Sequence, residues 1–502
     1  MKKIKTDWII ILILLLILTS IILIKPLNDL DEIWNYNFAK NILDGKLPYK
    51  DFNVIQTPLL PILCSGFLKL LGNELIVMRI LAVILCTSIL FITYKILENL
   101  KVNKWLNCMF LIFVIYILKD HFRIDYNFFV LLNVLEIIYI ELKMINNAET
   151  EEELLTHSKK DILLGIFAGI CICTKQTTGV FISIVLVGYN ILNVSNFEEF
   201  KLFTKKAIYR VIGVLIPVIS LSIYFTFNNL WNDFIDYCIL GISTFSNYKP
   251  YSNLIKSNNI FIKLLSIIVP VFIIGVVGNI LINRYKKKEY NKKLLMIIAY
   301  SVAELIVIFP ISDDIHFLVG AFPVMIGIMY IISLQCKKIK NEKIKVFIKE
   351  YLKAFNILLV IIYIILSINS LYNYAIQAEQ YNTLEHFNYI LQSEEQINNI
   401  KQLGEYIKSQ NKNVYILDSA SAMYTIPINQ YTKNYDMFMK GNFGRDGEDG
   451  IIKDLQNEEN YIVLIKKEQY SRNWQNPDKV REFVIKNIDK VGEIEVFDIY
   501  EK

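Results

Sequence analysis

The stretch DWIIILILLLILTSIILIKPLNDLDEIWNYNF, residues 7–38, decides how the rest of the chain is read. Residues 8–24 carry no charge and are nearly all Leu and Ile, a run long enough to cross the hydrocarbon core of a bilayer. Asp29, Asp31 and Glu32 follow within four positions, at the mouth of that run, and an aromatic-rich segment comes next. Two readings of these acids stand side by side. Asp is favoured at helix N-caps, and acids suit the positive end of a helix. A carboxylate at a membrane surface is also a general base in waiting.

The pattern repeats along the chain. The 502 residues are 54% hydrophobic and 13% aromatic, and the mean hydropathy is +0.39. Apolar segments at 8–25, 74–97, 105–119, 127–143, 161–175, 178–193, 209–227, 259–283, 294–310, 317–335 and 354–371 predict eleven membrane-spanning helices. The stretch 53–72, NVIQTPLLPILCSGFLKLLG, contains Pro58, Pro61 and Gly66, and reads as interfacial helix rather than as a full span. The first run is followed by no small-residue cleavage site, so it reads as an uncleaved helix.

Charge sets the orientation. With the N-terminus inside, the inner segments hold 26 Lys and Arg, against 12 in the outer segments before residue 371. The positive-inside rule therefore predicts a cell-membrane protein with a cytoplasmic N-terminus and an extracytoplasmic C-terminus. The seven Cys lie mostly in or beside apolar runs, which argues against a disulfide framework or a Cys-based zinc site. Cys171 and Cys173 read as small core residues, and the four His are scattered. Nothing in the chain suggests nucleic-acid binding.

The fold class that follows is a polytopic α-helical membrane protein with a small C-terminal α/β extracytoplasmic domain. Residues 1–371 form the transmembrane part, with a long first outer connector at 26–73. Residues 372–502 differ in kind. Amphipathic helical stretches (EEQINNIKQLGEYIKSQ, PDKVREFVIKNI) alternate there with strand-like runs (NVYILDSA, NYIVLIKK, EIEVFDIY).

The order of features in the first 80 residues carries a family resemblance. A first span leads to the acidic pair Asp31 and Glu32, then an aromatic-rich helix, then DGKLPYKDF at 44–52. TPLLP at 57–61, LLG at 70–72 and Arg79 at the start of the second span complete the order. This resembles the GT-C superfamily of membrane glycosyltransferases, and within it the protein-mannosyltransferase-like and aminoarabinose-transferase-like branch. The resemblance implies transfer of a sugar from a polyprenyl phosphate to an acceptor glycan, lipid or protein at the outer membrane face. It also implies that the acidic pair contains the catalytic base, with Asp31 first, Glu32 its neighbour and Asp29 the fallback. Such a base takes the acceptor's proton as the new bond forms, and cations, Arg79 among them as a substrate contact, meet the anionic leaving group. In some relatives a divalent cation is held by acids of the first two outer loops, and Asp31 with Asp125 would be that pair here.

Other polar positions are candidates beside plainer readings. LKDHFRIDYNF at 118–128 offers Asp125, then Asp120, as a further functional acid, and Arg123 as a phosphate or substrate contact; it reads equally as a solvated turn. CTKQTTGVF at 173–181 breaks two apolar segments, and Lys175 and Gln176 there are costly in lipid. They read as donor-phosphate or sugar contacts, or as headgroup-level residues of a turn. His316, in ISDDIHFLVGAFP at 311–323, reads as a substrate contact or as a His bonded to Asp313 or Asp314. Glu136 and Glu304 lie within spans, where ionisable groups are functional or paired. The outer loop 231–251 is a lid or an interfacial stretch, and GNFGRDGEDG at 441–450 reads as a flexible loop, not a phosphate cradle.

Two further functions compete. A transporter or flippase of lipid-linked sugars would show paired broken helices in two repeats, and the chain offers one break, at 174–179. A non-enzymatic scaffold for the C-terminal domain would need neither the acid cluster nor the TKQT break.

Overall fold

The structure, a computed structural model, describes residues 2–244, 249–286 and 288–502. The chain is mostly helical. Each of the eleven predicted apolar segments falls on helix: Lys2–Ile22, Leu75–Asn99, Lys104–Leu118, Tyr126–Asn147, Lys159–Thr174, Gln176–Gly188, Phe197–Phe227, Ile260–Tyr285, Lys292–Glu304, the pair Asp314–Gly320 and Phe322–Lys337, and Glu342–Gln377. Length separates them. Among the described residues five helices are long and apolar enough to cross a membrane, or six if a pair bent by 53° at residue 321 counts as one span. Lys159–Thr174 has 16 residues, which at 1.5 Å per residue is about 24 Å, short of a hydrocarbon core of about 30 Å. Leu59–Leu71, in the stretch read as interfacial, is a helix of 13 residues.

The chain divides into two compact units, one of Met1–Ile21, Ala82–Leu221 and Lys249–Ser370, the other of Ile22–Leu81, Ser222–Tyr248 and Leu371–Lys502. The first is the helical unit. Several of its helices start at side-chain caps: Asn103 accepts from Trp105 N, and Ser158 with Asp161 forms a capping box. Lys159–Thr174 and Phe197–Phe227 meet at glycine. A Cβ on Gly165 would lie 2.8 Å from the Gly213 Cα, so only glycine lets the two backbones approach this closely. The same helices share a buried ionic cluster. Arg210 Nε donates to Asp161 Oδ1 at 2.9 Å, Lys206 pairs with the same oxygen at 3.2 Å, and Arg210 also bonds Glu141. Two cations and two carboxylates leave this cluster neutral.

The second unit holds a four-stranded sheet: β1 (Asn413–Leu417), β2 (Tyr461–Lys466), β3 (Asp489–Ile494) and β4 (Phe497–Glu501), in the order β1-β2-β4-β3. β1 and β2 are parallel and the other pairs antiparallel. Central β2 is buried on both faces, as its unbroken apolar run dictates. The helices Glu394–Ser409 and Asp478–Asn487 occupy the two amphipathic stretches. The run EIEVFDIY is not one strand. It straddles a two-residue hairpin, with Ile494 paired to Phe497 and Glu495 at φ +48°. Hairpin turns of that kind usually carry Asn or Gly, so Glu-Val at the turn hid it.

Candidate functional site

Asp31 and Glu32 sit on one short helix of the second unit, Leu30–Leu43. Asp29 is its N-cap: Oδ1 accepts the Asp31 backbone N–H at 3.2 Å. Glu32 is buried and Asp31 half-buried. Arg79 donates to Glu32 through Nε at 2.8 Å and through Nη2 at 2.9 Å. Its Nη1 also bonds the carbonyls of Leu23 and Lys25, at 2.9 and 2.5 Å. The pair therefore ties the acid-bearing helix to the segment that leads into it. One turn on from Asp31, Asn35 Nδ2 donates to the Asp31 carbonyl at 2.7 Å.

The segment after this helix explains the DGKLPYKDF motif. Gly45, at φ +82°, ends the helix in a left-handed residue, and Lys46 N donates to Asn41 O at 2.9 Å. Tyr49, at φ +69°, is fully buried, and its hydroxyl donates to Gln56 O at 2.8 Å. Its ring lies 6.0, 5.8 and 6.5 Å from Phe225, Phe234 and Tyr237. The Leu-Pro-Tyr sequence is a peg that fixes the first connector in an aromatic socket.

Gly444 is the counterpart at the C-terminal side. It adopts φ +66°, and a Cβ there would lie 2.4 Å from Asp236 Oδ2. Arg445 Nε pairs with Asp236 Oδ1 at 3.3 Å. The glycine-rich segment, expected to be a flexible loop, is thus packed against Asp236 of the candidate lid, and from Gly447 onward it is helix, Gly447–Asn457. Of the candidate lid 231–251, residues 245–248 lie outside the described residues.

The first unit holds the remaining candidates. Asp125 is buried and caps Tyr126–Asn147, its Oδ1 accepting from Asn127 N at 2.7 Å. Asn127 in turn accepts from Lys175 Nζ at 2.7 Å. Lys175 is the single residue between Lys159–Thr174 and Gln176–Gly188, in extended backbone, so the predicted break is present. Gly179 permits the tight reversal, because a Cβ there would lie 2.2 Å from Ile172 N. Lys175 also lies 5.2 Å from the Tyr126 ring. Asp125 and Lys175 are therefore two residues of one chain of contacts. Arg123 is buried, Gln176 half-buried and Asp120 exposed.

His316 belongs to a second group in this unit. Its Nδ1 lies 2.7 Å from Asp313 Oδ1, the carboxylate that caps Asp314–Gly320. Lys249 reaches the other oxygen at 4.0 Å. Burial raises the Asp313 carboxyl, but His316 and Lys249 outweigh it and hold it down at about 2. The cation was not visible in 311–323 because it arrives from residue 249, where Lys249 N donates to Pro310 O at 3.1 Å. Glu304, read as a span carboxyl, is fully buried with neither oxygen hydrogen-bonded, facing the charge of Lys175. Among the described residues no three His, Cys, Asp or Glu side chains form a metal-holding group.

No protein-family model matches the sequence, and no curated protein sequence does. Solved structures do match. The crystal structure of ArnT from Cupriavidus metallidurans in the apo state has a TM-score of 0.56 at 10% identity, covering 99% of this chain and 98% of that one. The structure of ArnT from the same organism bound to undecaprenyl phosphate has the same score and identity, covering 100% and 98%. The likeness spans nearly the whole length of both chains: the chain has an ArnT-like fold.

Proposed function

We propose that this chain is a GT-C glycosyltransferase that moves a sugar from a polyprenyl-phosphate donor to an acceptor at the outer face of the cell membrane. The observation that carries the reading is the end-to-end likeness to a fold whose solved example binds undecaprenyl phosphate, with an acid-bearing helix after the first apolar helix. Asp31 is the general base. Glu32 is occupied by Arg79 through both oxygens, and Asp29 is committed to the helix cap. Asp31, half-buried between them, takes the proton from the acceptor hydroxyl or amine as it attacks the anomeric carbon. The polyprenyl phosphate leaves with the bonding electrons.

Lys175, Gln176, Arg123 and His316 supply positive or donor groups to the phosphate or sugar, and Asp125 orders Lys175 through Asn127. Arg79 acts through Glu32. The eleven apolar segments cross or enter the membrane with the N-terminus cytoplasmic. Residues 1–371 form the membrane domain, and 372–502 lie outside the cell with the connector 26–73. Transfer by purified protein from a panel of polyprenyl-phosphate sugars, with Asp31→Asn as the comparison, tests the reading. Donor consumption by wild type but not by the variant supports it, and equal rates refute the base.

A further inference from the structure

The helix Leu30–Leu43 presents two kinds of surface. One carries Asp31 and Asn35. The other carries Trp34, Asn37 and Lys40, which follow at three-residue steps and are 8%, 1% and 1% exposed. All three point polar atoms at the C-terminal part of the second unit, 385 to 399 positions away in sequence. Trp34 Nε1 donates to Ser419 O at 2.9 Å, just after β1, and its ring meets Trp474 edge-on at 6.1 Å. Asn37 Nδ2 donates to Asp436 Oδ2 at 3.3 Å, while Thr432 N holds the other oxygen at 2.9 Å. Lys40 Nζ donates to the Tyr431 hydroxyl at 2.7 Å and to Asp44 at 2.8 Å. The residue leading into the helix is held from the same side. Leu27 N donates to Leu391 O at 2.9 Å, and Gln396 Nε2 donates to Leu27 O at 2.7 Å.

Apolar packing alone lets a helix slide or roll by small amounts, because it has no preferred direction. Directional bonds from three successive positions on one stripe do not. They fix the rotation of the helix and its height along its axis. Asn37 is six residues from Asp31, about 9 Å along the axis. A rolling helix would carry the acid with it, and a misplacement of about 1 Å in a reacting group costs on the order of a hundredfold in rate.

We infer that Asn37 and Asp436, with Trp34 and Ser419, are positioning residues: the C-terminal domain is the clamp that sets the rotation and height of the acid-bearing helix, rather than a module with a separate task. This rests on the reading of Asp31 as the base. The role belongs to the Asn37–Asp436 contact itself, so it predicts that reversing the pair preserves it.

The test uses the full-length chain in nanodiscs. Asn37→Asp sets two buried carboxylates against each other. Asn37→Asp combined with Asp436→Asn restores one donor and one acceptor, with the Asn at 436 still able to accept from Thr432 N. Hydrogen exchange of amides 30–43 and the kcat and KM of transfer are both measured. Asn37→Asp is expected to raise exchange across 30–43 and to lower kcat about tenfold to a hundredfold at unchanged donor KM. The reversed pair is expected to return both to within about threefold of wild type. Unchanged exchange in Asn37→Asp, or a reversed pair no better than the single variant, overturns the inference. If wild type transfers no sugar from any donor, the proposed activity has failed, and the exchange data still decide the clamp. If Asn37→Asp does not accumulate, Trp34→Phe, which keeps the ring and drops the N–H to Ser419, takes its place with the same two readouts. Raised exchange then supports the clamp, and wild-type exchange overturns it.

Discussion

Arg79 holds Glu32 by two hydrogen bonds of 2.8 and 2.9 Å across 47 positions of sequence, with both side chains buried. This bidentate geometry is the strong form of an arginine–carboxylate pair. It commits Glu32, the second acid of the pair Asp31 and Glu32, to architecture.

Arg79→Ala should therefore act on folding before it acts on chemistry. Removing one partner strands a buried charge, which typically costs about 3–5 kcal/mol. The variant should accumulate poorly or melt early, as read by intrinsic fluorescence in detergent. Glu32→Gln keeps an acceptor and should melt between the two. A wild-type melting curve for Arg79→Ala would show that the pair holds nothing together.

Asp313 gives a pH signature with a fixed sign. Its carboxyl is held at about 2, below its ordinary value of 3.8, by His316 and Lys249 against the effect of burial. A folded-state value depressed in this way contributes stability that is present above about 4 and is lost as pH falls toward about 2. Asp313→Asn should be less stable than wild type at pH 6, and the gap should close across that interval. Melting curves at pH 6, 4 and 2.5 check this, and a gap that widens on acidification would contradict it.

Gly444→Val adds a branched side chain where a Cβ already meets Asp236 Oδ2 at 2.4 Å, at φ +66°. Strained backbone of that kind costs roughly 1–3 kcal/mol, so segment 441–446 should release from 236–244. Limited proteolysis should then cut near Arg445 in the variant and spare the wild type. Equal protection in both proteins would mean that the contact is dispensable.

The helical segments were legible in the sequence because long apolar runs leave the backbone no other partner in a membrane. Their number as full spans was not, since helices such as Lys159–Thr174 stop short of a bilayer's thickness. The break at Lys175 was visible as a polar interruption. What the break touches was hidden: Asn127, its partner at 2.7 Å, is 48 positions away. The Asp29 cap was local and readable. The Arg79–Glu32 pair and the bonds from Trp34 and Asn37 to residues 419 and 436 are long-range, and periodicity carries no trace of them. The hairpin at Glu495 leaves no local signal in the sequence because its turn lacks the residues that usually mark one.

We propose that Asp31 accepts the acceptor's proton. The most direct measurement is the single-turnover rate of sugar transfer by Asp31→Asn, set beside its melting curve. General-base loss costs roughly a hundredfold to ten-thousandfold, so a fall of that size with an unchanged melt is expected. Transfer at the wild-type rate by a folded Asp31→Asn protein would contradict it.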